Sequence, residues 1–75
     1  MIDREKVRAA DRRAFALRRC ALKLKELIEE MVGHYGEDIV EVVIQEGLKM
    51  DREAVIASQY ADELDGKFRD EQRTL

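Results

Sequence analysis

Ser58, Gln59 and Asp62 are the residues whose types and spacing hint at chemistry: a hydroxyl, a carboxamide and a carboxylate set into an otherwise apolar helical pattern at residues 54–64. On a helix, Ser58 and Asp62 lie one turn apart, and Gln59 and Asp62 are neighbours at i, i+3. A helical projection puts Ser58, Asp62 and Asp65 along one flank of the apolar stripe, with Gln59 on the side away from the core. Spacing alone is equally met by polar residues that solvate an amphipathic helix.

The other reactive side chains form no such group. Cys20 is the single cysteine, so neither an internal disulfide, a zinc spacing nor a redox pair can be built from it, and a buried, inert thiol is expected. His34 is the single histidine, near Glu30, Glu37 and Asp38, but no Glu-x-x-His or His-x-x-x-His spacing accompanies it. Neither a metal nor a cofactor is therefore expected.

Three helices would have to position these residues. Val7, Ala10, Ala14, Leu17, Ala21, Leu24, Ile28 and Met31 recur three and four apart, the seam of one helix over residues 3–32. Cys20 and Leu27 widen that seam. Asp3 is the N-cap and Gly33 the left-handed stop, opening a tight Gly33-His34-Tyr35-Gly36 connection. Residues 37–46 carry five β-branched side chains, yet Ile39, Val42, Val43 and Glu46 keep helical spacing and acidic residues fill the first turn; a short helix ending at Gly47 is expected. Asp51 would cap a last helix over residues 52–68, with Met50 and Val55 as a hydrophobic staple. Ala54, Ala57, Tyr60, Ala61, Leu64 and Phe68 would be its buried stripe, Gly66 would weaken it, and residues 67–75 would fray.

The expected fold is thus all-α, a helical hairpin elaborated to three helices in one domain spanning residues 1–75. A chain of 75 residues buries a smaller fraction of its surface than a larger domain does, so packing as a homo-oligomeric bundle is expected. No apolar run reaches the roughly 20 residues that span a bilayer, and residues 1–6 have no apolar leader segment; the default compartment is the cytoplasm. The net charge of −3 hides an asymmetry, because residues 1–25 hold nine Lys and Arg against three Asp and Glu, whereas residues 26–75 hold five against fourteen. The basic half would pair with the acidic half, within or between chains, or meet an acidic partner such as nucleic acid.

The run Ser58-Gln59-Tyr60-Ala61-Asp62-Glu63-Leu64 resembles the Ser-Gln-Glu-Leu-Asp-x-Leu signature of the small aspartyl-phosphate phosphatases that control sporulation, matching at Ser58, Gln59, Asp62 and Leu64. Tyr60 and Ala61 stand where the signature has Glu and Leu. Gly47-Leu48 and Val55-Ile56 resemble that family's loop and entry to its second helix. The resemblance implies a helical hairpin that removes the phosphoryl group from a response regulator's receiver domain. In that reading Gln59 orients the attacking water, Asp62 orders the water, fixes Gln59 or binds a basic group of the receiver, and Ser58 supports the contact. A different class is a homodimeric helical module that binds nucleic acid or protein through the Arg-rich first helix.

Overall fold

The computed structural model describes residues 2–74 and is a helical hairpin: α1, Arg4–Met31, and α2, Glu37–Thr74. The first helix forms as its sequence dictates. Asp3 accepts from the backbone N–H of Glu5 at 3.1 Å, satisfying one of the unpaired amides of the first turn. Its seam is buried at Val7, Ala10 and Ala14 and half-buried at Leu17, Ala21, Leu24, Ile28 and Met31. The helix stops at an extended Val32, followed by Gly33 at φ +88°, a conformation that costs any L side chain about 1 kcal/mol or more. The backbone N–H groups of His34 and Tyr35 both donate to the carbonyl of Met31, at 3.0 and 3.2 Å, which closes the turn. Gly36 then offers its carbonyl to Ile39 and Val40 and starts α2.

The expected second and third helices are one. α2 runs for 38 residues, with no break at Gly47, no N-cap at Asp51 and no weakening at Gly66 before Thr74. Phase explains why. Val40, Val43, Gly47, Met50, Ala54, Ala57, Ala61, Leu64, Phe68 and Glu71 repeat three and four apart, and every one of them is buried or half-buried. Gly47 belongs to that row and faces Ile28, whose Cδ1 lies 3.5 Å from where a Cβ would stand. A glycine that reads locally as a stop is here a small residue on the inner face of a continuous helix. Met50 packs on the seam while Val55 is exposed, so no staple forms.

The phase of the long row also corrects single residues. Ile39, Val42 and Tyr60 are 48%, 64% and 56% exposed, because Val40, Val43 and Ala61 occupy the inner positions beside them. Cys20 and Leu27, expected to widen the seam, are exposed as well, each beside an inward residue, Ala21 and Ile28. Residues 67–74 remain helical; Leu75 lies outside the described residues.

The two helices pack antiparallel into a rod measuring 59 × 13 × 12 Å. Alanines make that thinness possible: Ala10, Ala14, Ala57 and Ala61 form the core cluster, flanked by Leu17 and Leu64. Small side chains let the backbones approach closely but contribute little apolar area each. The remaining buried residues are Val7, Val40 and Ala54, and among the described residues no large side chain is fully buried. At the open end, the backbone N–H of Ile2 donates to Glu71 Oε2 at 2.9 Å and ties the start of the chain to α2.

Candidate functional site

Ser58, Gln59 and Asp62 occupy the middle of α2, and the heptad phase gives each a different outlook. Ser58 follows the inner residue Ala57 and is half-buried, its Oγ shielded and without a hydrogen-bond partner among the described residues. It lines a groove of about 470 Å³ between the helices with Ala21, Leu22, Ala54, Val55, Asp51 and the α1 cations Arg18 and Lys25. Gln59 and Asp62 are exposed and line none of the described grooves. Asp65, on the same flank as Ser58, is half-buried and pairs with Arg69 one turn on, at 3.2 Å.

The structure therefore keeps Gln59 and Asp62 as an exposed i, i+3 pair and turns Ser58 towards α1. No hydrogen bond joins any two of the three among the described residues. An amide and a carboxylate on a convex helical edge enclose no small substrate.

His34 lines a groove of about 430 Å³ with Leu27, Glu30, Met31 and Tyr35. Among the described residues no three His, Cys, Asp or Glu side chains are grouped to hold a metal ion. No described helix is long and apolar enough to cross a membrane.

The charge asymmetry takes a particular form in the folded chain. The five ion pairs among the described residues all join side chains three or four apart on one helix: Glu5 with Arg8, Lys23 with Glu26, Glu46 with Lys49, Asp65 with Arg69, and Asp70 with Arg73. None crosses from the basic α1 to the acidic α2. Arg12, Arg13, Arg18 and Arg19 are exposed and form no ion pair in that set, although the Arg19 guanidinium lies 6.0 Å from the ring centroid of Phe15.

A second surface escaped the sequence reading. Lys6, Ala9, Ala10 and Arg13 of α1 and Glu53, Ile56, Ala57 and Tyr60 of α2 line a groove of about 600 Å³. Ile56 and Tyr60 are 65% and 56% exposed there. Two large apolar residues at i, i+4 outside the main stripe were the available signal, but Tyr60 reads as part of the buried stripe until the phase of α2 is known. No family model matches the chain, and neither a curated protein nor a solved structure is similar to it.

Proposed function

We propose that this chain is a small regulatory protein that docks on the phosphorylated receiver domain of a response regulator and promotes hydrolysis of its aspartyl phosphate. One observation carries the reading: Gln59 and Asp62 form a solvent-facing i, i+3 pair in the middle of a long helix and line none of the described grooves. An acyl phosphate on a receiver already has a good leaving group and its own metal, so an accessory protein need only position water for in-line attack. Gln59 supplies an amide that can hold that water. Asp62 orders it, fixes Gln59 or meets a basic group of the receiver, and Ser58 supports the contact between the helix and the receiver. The support comes from residues 58–64, because Gly47 and Leu48, the loop in the family resemblance, lie inside α2.

Phosphate release from phosphorylated receiver domains tests the proposal. Wild-type protein should accelerate release, and Gln59→Ala should lower the acceleration by roughly 10²-fold, the scale of a lost positioning contact. Asp62→Ala should fall with it. If both variants match wild type, the assigned roles are wrong.

The exposed arginines of α1 favour one further reading, a module that binds nucleic acid through phosphate contacts. A gel shift that weakens steeply with salt and disappears when Arg12, Arg13, Arg18 and Arg19 are neutralised would support it. Binding that ignores those changes would remove it.

A further inference from the structure

The groove lined by Lys6, Ala9, Ala10, Arg13, Glu53, Ile56, Ala57 and Tyr60 is one of three on the same side of the hairpin. Lys6, Arg13, Cys20 and Leu27 recur every seven residues on one flank of α1, and Cys20 and Leu27 line the next section, of about 510 Å³, with Leu24 and Met50. Leu27 continues into the section beside His34 and Tyr35. An interrupted, half-exposed trough thus follows one side of the hairpin along α1, lined by apolar residues and by the α1 cations Lys6, Arg13, Arg19 and Lys23.

We infer that the occupant of this trough is a second copy of the chain, giving a four-helix dimer whose two-fold axis runs along the length of the rod. That axis lays α1 of each copy over α2 of the other at the same level. Ile56 and Tyr60, the projecting apolar residues of the groove, then meet the low wall formed by Ala9 and Ala10 in the other copy. The same surface supplies both knob and recess, as an isologous contact requires. Charge agrees with that arrangement: the α1 rim is basic at Lys6 and Arg13, the α2 rim is acidic at Glu53, and no ion pair among the described residues joins the two helices. The axis places Arg13 of one copy beside Glu53 of the other, twice by symmetry.

The hairpin alone buries seven small or medium apolar residues, four of them in the alanine cluster. A second copy covers the large side chains that remain exposed on this side. Ser58 lies on the opposite flank with Arg18 and Lys25, so the dimer leaves that flank open.

Sedimentation equilibrium across a concentration series, with far-UV circular dichroism in parallel, reads the prediction. Wild type should approach twice the 8.7 kDa chain mass. Ile56→Lys with Tyr60→Lys should shift association to at least roughly tenfold higher concentration, the effect of losing more than 1.4 kcal/mol. Arg13→Glu and Glu53→Arg should each weaken self-association, and an equimolar mixture of the two should restore it, since only a mixed dimer pairs every charge. Restoration on mixing can arise only between chains, so it decides the matter even where the lysine variant fails to fold. A wild type that stays helical and monomeric throughout overturns the inference, and so does a mixture that associates no better than its components. Neither result bears on phosphate release, which is measured separately.

Discussion

At Gly47 a methyl group would meet Ile28 Cδ1 at 3.5 Å, an ordinary contact, and the backbone there is helical. Gly47→Ala should therefore stabilise the fold by about 0.5–1 kcal/mol, by lowering the entropy of the unfolded chain and improving helix propensity. Urea denaturation measures it, and a loss of stability would mean that the chain turns at this position. Gly33→Ala should move the other way by about 1 kcal/mol or more, because φ +88° strains any side chain although nothing crowds the space. Ser58→Ala removes a shielded hydroxyl that has no partner among the described residues. It should be neutral or stabilising by up to about 1 kcal/mol in the same assay. A clear destabilisation would reveal a hydrogen bond that holds Ser58 in place. Gln59 and Asp62, both exposed, should change stability by less than about 0.5 kcal/mol when replaced by Ala, so any loss of phosphate release there reports on function.

Each helix carries an uninterrupted three-four row, and the two rows meet along an alanine-rich contact. Close approach of the backbones leaves no room for larger groups. Ala61, 3% exposed, sits in that contact, and Ala61→Leu should cost about 1–3 kcal/mol through overpacking unless the helices separate. Thermal melts followed at 222 nm would record it; an unchanged melt would mean that the alanine contact is looser than the seam implies. The row in α1 is legible residue by residue, since nothing in residues 4–31 competes with it. In α2 the local signals compete: the β-branched run at residues 39–44, Gly47 and Asp51 all point to boundaries, whereas the row from Val40 to Glu71 ignores them. Packing against α1 favours the continuous row because every break would uncover part of the seam.

A rod 59 Å long and 12–13 Å across has a thin core, and its stability should depend on what covers its sides. If the trough beside Ile56 and Tyr60 closes by dimerisation, the melting temperature should rise with chain concentration, because association stabilises the folded state by mass action. A melting temperature unchanged between roughly 1 and 100 Kd of the dimer would exclude that coupling. Raised salt should weaken association moderately, since the Arg13 and Glu53 pairs lie at the partly solvated rim.

The sequence alone determined that the chain is all-helical, that Asp3 starts and Gly33 ends the first helix, and which eight residues of α1 face inward. These features depend on contacts within a few residues, where capping geometry and the 3.6-residue period leave few alternatives. Only the tertiary structure decided that Gly47 lies inside a helix, that Tyr60, Cys20 and Leu27 point outward, and that the Ser58 flank lies beside Arg18 and Lys25 of α1. Those outcomes depend on the phase in which 38 consecutive residues meet a second helix, and a boundary signal confined to one glycine cannot report that phase.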